Sequence, residues 1–302
     1  MKNVTFKKLT WLDFSNPTED DITYLNENFN IHPIALEEFI TPTIRPTATK
    51  YSNCIFLTVH IPLFDTKSRT TYPGELDIVI TDTHLITGHK YDIYQLTEFF
   101  NGLSKSEGKR RQYMANTPAH LLYHLLEILL DSSFPKLKNI SDKLDMIEEN
   151  VFAGKEKEMV FEISVVKRDV LNFRRTLKPQ RSVIESLSHI KTKLIPLSLH
   201  PYYQDLIGTN IRLWNTLDSI KETIESLEET NNSLLSNKLN MTMKVLTIFS
   251  AVMLPMTVYS NILAMSADIP FGTHPMGFWI HMIIMIAISL FTITVFKSRK
   301  WF

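Results

Sequence analysis

The sequence predicts an α+β membrane protein: a mixed α/β domain at the amino end, long antiparallel helices in the middle, and two transmembrane helices at the carboxyl end. Three observations carry that prediction. Short runs rich in β-branched and aromatic residues, broken by proline and polar turns, fill roughly the first 100 residues. From about Thr117 the apolar spacing becomes helical. Two stretches near the end, 245–265 and 278–296, carry no charged side chain, and each has about the 20 residues needed to cross a hydrocarbon core of about 30 Å.

The α/β domain is expected over 1–115. VTFKKLTWLDF, YSNCIFLTVHIPLF, ELDIVIT and HLITGHK read as strands, and TEDDITYLNENF and HPIALEEF between them have helical spacing and acidic first turns. The start, MKNVTFKKLTWLDF, lacks the apolar core of a signal peptide and reads as a first strand. His32 belongs to the turn before the IALEEF helix rather than to a ligand set. The one cysteine, Cys54, excludes an intramolecular disulfide framework and fits a reducing cytoplasm; within an apolar strand it reads as a buried structural thiol. There is no phosphate-cradling glycine loop, nucleophile elbow or paired-cysteine zinc spacing, and only eight glycines in all, which argues against an enzyme. A formal charge of zero gives no electrostatic reason to expect nucleic acid as a partner.

Antiparallel helices are expected over 116–200. HLLYHLLEILL continues through ISDKLDMIEENVF with Pro135 as a kink or break. His120 and His124, four apart on one helix face, could hold a metal but lack the neighbouring glutamate and third ligand of a zinc motif. Ala153, Gly154 and Lys155 make a turn, from which EKEMVFEISVVKRDVLNFRRTLK returns, and QRSVIESLSHI continues after Pro179. The mixed charges of these helices read as solvated faces. A further helix over 201–265 begins near Tyr202 and meets no proline until Pro255, so it is expected to run into the membrane as one rod on the order of 90 Å long at ~1.5 Å per residue. Leu213, Leu217, Ile220, Ile224 and Leu227 give it an apolar stripe.

The loop 266–277 has Asp268 as its only formal charge, whereas Lys238 and Lys244 precede the first span and Lys297, Arg299 and Lys300 follow the second, 278–297. By the positive-inside rule both termini are cytoplasmic, and Trp301 in the tail 298–302 suits the interface. The basic tail residues either fix this orientation or also ring a cytoplasmic mouth. Repeated around an axis, Asp268 would make an acidic ring that concentrates cations, and His274 is either a solvated loop histidine or one that adds pH sensitivity or binds a softer metal.

Within the first span Asn240, Met243, Thr247, Ser250, Leu254, Thr257, Asn261 and Ala264 recur at alternating steps of three and four, the seam of a helix packed around an axis with copies of itself. Much of that seam is polar. Polar groups at membrane depth face a bundle interior or a water-filled path. The competing reading is that the hydroxyls bond back to their own helix. Met243 and Leu254 would supply apolar constrictions.

These residues also carry a resemblance. SNKLNMTMKVLTI, then LPMT, a short loop, a second span and a terminal KSRKWF are similar to the membrane end of the CorA family of divalent-cation channels, and IHPIALEEFITPTIRP resembles that family's HP-x-A-L-E-D…RP element upstream. The resemblance covers nearly the whole chain. It implies a homopentamer with a cytoplasmic funnel in the cytoplasmic (inner) membrane, lined by the first span, passing Mg2+, or Co2+, Ni2+ or Zn2+. The family's Gly-Met-Asn signature falls on Ala264, Met265 and Ser266, so only the methionine is kept; Asn261, one turn inside, offers a displaced amide. The resemblance also places a regulatory metal-site aspartate at Asp205 and another acidic residue at Glu229, with Asp65, Glu75 and Asp77 as candidate partners. Loss of two signature residues leaves a second reading, a membrane-anchored structural or regulatory subunit that does not conduct.

Overall fold

The computed structural model describes residues 1–29, 31–43, 45–190, 192–265 and 276–299. The run VTFKKLTWLDF, expected as one strand, is a hairpin: β1 (Lys2–Phe6) and β2 (Leu9–Ser15) pair antiparallel, with Phe6 opposite Leu9. Lys7 closes the turn in the left-handed region at φ 55°, and both turn lysines are exposed. Neither is a typical turn former, which is why the break has no signature in the sequence.

Helices α1 (Glu19–Phe29) and α2 (Pro33–Ile40) follow, then β3 (Thr47–Lys50), β4 (Ile55–Asp65), β5 (Thr70–Ile80) and β6 (His84–His89). The strands form a sheet in the order β1-β2-β6-β5-β4-β3, with β2 and β6 parallel and the other neighbours antiparallel. His32 caps α2, accepting from the Ile34 N–H on Nδ1 at 3.3 Å, with Pro33 opening the first turn. Strand alternation gives the sheet two cores. Leu12, Ile86, Val79 and Phe56 form one rung of paired residues facing α1 and α2, where Leu25, Leu36 and Phe39 close the layer. Gly88 lies on this face, and a Cβ there would fall 2.4 Å from the Phe39 ring, so only glycine lets α2 sit this close. Trp11, Leu85, Ile80 and Ile55 form the rung of the opposite face, where Trp11 meets Phe99 and Phe100 of α3 (Tyr94–Lys105) at 5.6 and 5.0 Å. Covered on both sides, β4 is buried from Ile55 to Leu63, and Cys54 beside it is a buried free thiol.

Helices α3 and α4 (Glu107–Tyr113) follow the last strand, within residues 1–115. The long helices then begin with α5 (Pro118–Asp131) and α6 (Ser133–Phe152), separated at Ser132 rather than at Pro135. Pro135 falls in the first turn of α6, where a backbone N–H has no helical partner to lose. α7 (Glu156–Leu177) returns along α6 after Gly154, whose φ of 89° makes the turn, and packs on β4 and β5; α8 (Gln180–His189) follows. α9 (His200–Ala264) and α10 (Gly277–Ser298) complete the described chain.

The chain divides into two compact units, Met1–Glu228 and Glu229–Phe302. In the first, the expected stripe Leu213, Leu217, Ile220, Ile224 and Leu227 is buried, and the Tyr203 hydroxyl donates to the Ala119 carbonyl at 2.9 Å. Among the described residues two helices are long and apolar enough to cross a membrane, the one ending at Ala264 and α10, with mean hydropathy 1.6 and 2.2 over their most apolar windows.

Candidate ion pathway on the first membrane helix

In the second unit each membrane helix has one half-buried stripe at three-four spacing. On α9 it is Ile248, Val252, Pro255, Tyr259 and Leu263; on α10 it is His281, Met285, Ile288, Thr292 and Phe296. The two stripes are joined where Tyr259 Oη and His281 Nδ1 lie 2.8 Å apart. The expected pore stripe lies elsewhere on α9: Asn240, Met243, Thr247, Ser250, Leu254, Thr257, Asn261 and Ala264 are all exposed in the single chain. At about 100° per residue, Thr257 and Asn261 stand about 160° round the helix from Tyr259. Exposure does not separate this stripe from a lipid face, since Leu246, Phe249, Val258 and Ile262 are exposed too. Chemistry does, because the hydroxyls of Thr247, Ser250 and Thr257 and the Asn261 amide recur on one line, with only Thr242 and Ser260 off it among the exposed hydroxyls of residues 240–264.

Two of those hydroxyls do bond back to their helix. Thr247 Oγ1 donates to the Met243 carbonyl at 2.8 Å and Thr257 Oγ1 to the Met253 carbonyl at 2.9 Å. With the proton committed, each oxygen keeps lone pairs as a fixed acceptor. The water shell of a cation turns its hydrogens outward, so acceptors are what it requires. Back-bonding and ion contact are therefore compatible. Ala264 is the last residue of α9, and Met265 after it is exposed. Ser266, Asp268, His274, Lys300 and Trp301 lie outside the described residues, while Lys297 and Arg299 are exposed at the end of α10.

Asp205 and Glu229 are exposed carboxylates on α9. The three candidate partners of Asp205 have engagements of their own. Asp65 accepts from the Lys67 and Ser68 N–H groups at 3.0 and 3.2 Å, and hydrogen bonds from the Ser68 side chain and these amides hold its carboxyl below its ordinary range. Glu75 Oε1 accepts from the Thr43 N–H at 2.7 Å and hydroxyl at 2.9 Å. Buried Asp77 accepts from Thr58 Oγ1 at 2.7 Å; burial, with Glu75 and Glu38 nearby, pushes its pKa up to about 8 despite that bond. His120 and His124 stack edge to face at 4.7 Å, and His124 Nδ1 is held by Glu127 at 3.1 Å. Burial, then the neighbouring His124, lowers the His120 pKa. Among the described residues of the single chain, no three His, Cys, Asp or Glu side chains are placed to hold a metal.

The Tyr259–His281 pair is the feature that sequence reasoning missed. Its signal was a histidine inside FWIHMIIM, since an ionisable side chain in a membrane span is costly.

A model of the CorA family, described as CorA-like Mg2+ transporter protein, matches residues 6–298. The chain is 27% identical over 300 residues to the cobalt/magnesium transport protein CorA of Thermotoga maritima, covering 97% of this chain and 83% of that protein. It is 24% identical over 299 residues to the protein of the same description from Methanocaldococcus jannaschii, covering 97% and 92%. The complete structure of the CorA magnesium transporter from that organism matches with a TM-score of 0.85 at 22% identity, over 100% of this chain and 95% of that one, which shows a shared fold. With an α/β soluble domain, a long helix and a second apolar helix all in place, and the family match running nearly end to end, the chain belongs to the CorA family, whose members are divalent-cation transporters rather than enzymes.

Proposed function

We propose that this protein is a channel for divalent cations, assembled as a homopentamer in the cytoplasmic (inner) membrane with both termini in the cytoplasm. Mg2+ is the favoured cargo, with Co2+, Ni2+ and Zn2+ as alternatives. The observation that carries the reading is the polar stripe Thr247, Ser250, Thr257 and Asn261 on the side of α9 turned away from the Tyr259 contact with α10. Relatives named for cobalt and magnesium transport support the cargo class. Five copies around an axis would give rings of acceptors separated by apolar constrictions at Met243 and Leu254, where dewetting gates. Mg2+ keeps several of its waters, which suits recognition through its water shell by neutral groups. In this reading Asn261 takes over from the signature amide that Ser266 replaces, Asp268 concentrates cations outside, and Asp205 with Glu229 senses cytoplasmic metal between subunits.

Uptake of Mg2+, Co2+, Ni2+ and Zn2+ into liposomes containing purified protein tests this, with Asn261→Ala and Thr257→Ala alongside. Asn261→Ala should cut Mg2+ uptake roughly tenfold, a change of about 1.4 kcal/mol in the barrier. Unchanged uptake and ion order would remove Asn261 from the pathway. A well-assembled protein that moves no divalent ion would support the second reading, a non-conducting structural or regulatory subunit, which the replacement of both glycine and asparagine by Ala264 and Ser266 favours.

A further inference from the structure

Tyr259 and His281 bond at 2.8 Å between Oη and Nδ1, with ring centroids 6.0 Å apart, inside two stretches free of Asp, Glu, Lys and Arg. No water competes for such a bond in hydrocarbon, and breaking it leaves a polar group unsatisfied. Hydroxyls along α10 do not reach across in this way: Ser289, Thr292 and Thr294 donate to the carbonyls of Met285, Ile288 and Leu290 in their own helix. Thr247 and Thr257 do the same on α9. Apolar contacts tolerate a small rotation of one helix against the other. A hydrogen bond of defined direction does not.

Its placement has a geometric consequence. Because Thr257 and Asn261 each stand about 160° round the helix from Tyr259, whatever holds Tyr259 against α10 turns those two residues directly away from it. The pair is also kept at a cost, since His281 Nε2 is buried with no hydrogen-bond partner among the described residues of the single chain. An apolar side chain would fill the same space without an orphaned nitrogen, so packing alone does not account for a histidine here.

We propose that Tyr259 and His281 are positioning residues for the ion pathway, their hydrogen bond setting the rotation of α9 at which Thr257 and Asn261 face water. This rests on the reading of α9 as the pore-lining helix and assigns the control of its orientation to a clasp between the two membrane helices. Selectivity at Asn261 then depends on two residues that never meet the ion.

The buried Cys54 leaves an introduced cysteine as the accessible thiol, so water exposure can be read position by position with a membrane-impermeant thiosulfonate on the full-length protein in liposomes. Asn261→Cys should label at least tenfold faster than Ile262→Cys. Adding Tyr259→Phe should slow labelling at 261 about tenfold and speed it at 262, with assembly size unchanged. His281→Leu should act likewise, whereas His281→Gln, which can still bond the tyrosine hydroxyl, should restore the parent pattern. Equal labelling at 261 with and without Tyr259→Phe would overturn the clasp while leaving the pathway standing. No labelling of Asn261→Cys in the parent would overturn the pathway reading itself, and the clasp's role with it. If His281→Leu fails to assemble, Tyr259→Phe, which loses a single oxygen, decides alone.

Discussion

The two ends of α9 invert the relation between polarity and burial. Along residues 200–228 the helix hides Leu213, Leu217, Ile220, Ile224 and Leu227 and turns Glu222 and Glu225 outward. Along residues 240–264 nothing is fully buried: Leu246, Phe249, Val258 and Ile262 are exposed, and so are Thr247, Ser250, Thr257 and Asn261. The helical repeat is the same. In water the apolar stripe marks what goes inside, whereas in lipid the polar stripe does, because lipid tails welcome leucine, while a hydroxyl bonded back to its own helix keeps acceptor lone pairs that a partner or a water path can use.

Truncating one apolar residue on each end should set the two apart most strongly. Leu217→Ala removes a side chain with no exposed surface and should cost about 2–5 kcal/mol of the first unit's stability. Ile262→Ala should stay within about 0.5 kcal/mol, the range of substitutions that touch nothing packed. Thermal unfolding of the full-length protein in detergent, followed for each variant, measures both. An Ile262 variant as damaging as Leu217→Ala would mean that its face is packed against protein, and the proposed lipid side would be wrong.

The same contrast explains what was legible in the sequence. The spans and the Leu213 to Leu227 stripe were readable because each obeys one solvent rule over many residues, so single exceptions do not blur it. Local breaks were not. Lys7 and Lys8 make a hairpin turn without glycine, asparagine or aspartate, and the tolerance of a helix's first turn for Pro135 moved the α5–α6 boundary to Ser132. Helix α3 did carry a readable pattern in Leu96, Phe99, Phe100 and Leu103, whereas α4 buries nothing and left no periodicity to find. At the candidate site, the polar line on α9 was visible as spacing. The Tyr259–His281 bond was not, because pairing between helices depends on how they are rotated, and a single chain of letters does not record rotation.

A pH-dependent effect comes from a carboxyl that the first unit buries. Asp77 ordinarily would titrate near 3.8, and burial moves its pKa up to about 8. Between those values the folded chain keeps a proton that the unfolded chain has released. Its contribution to stability is therefore fully present below about pH 4 and is lost as pH rises through about 8, with a slope of at most ~1.4 kcal/mol per pH unit. Asp77→Asn should flatten the fall in unfolding midpoint between pH 5 and about 8. An unchanged slope would assign the pH dependence to other groups, and Asp77 would then be ionised inside the sheet.

The smallest effect tests whether the outer surface of the water-facing end matters at all. Lys221 Nζ and Glu225 Oε2 lie 2.8 Å apart one turn from each other, with their side chains 32% and 45% exposed. Such a pair contributes about 0.3–0.5 kcal/mol at low salt, and a Debye length near 3 Å at 1 M removes most of it. Glu225→Gln should therefore lower the unfolding midpoint slightly in dilute buffer and not at all in 1 M salt. The Tyr259–His281 bond should respond in the opposite way, its effect on labelling at position 261 unchanged by salt, because ions that screen an aqueous pair do not enter hydrocarbon. If salt moved both readouts together, the tyrosine and histidine would have to be in water, and the two ends of α9 would share a solvent after all.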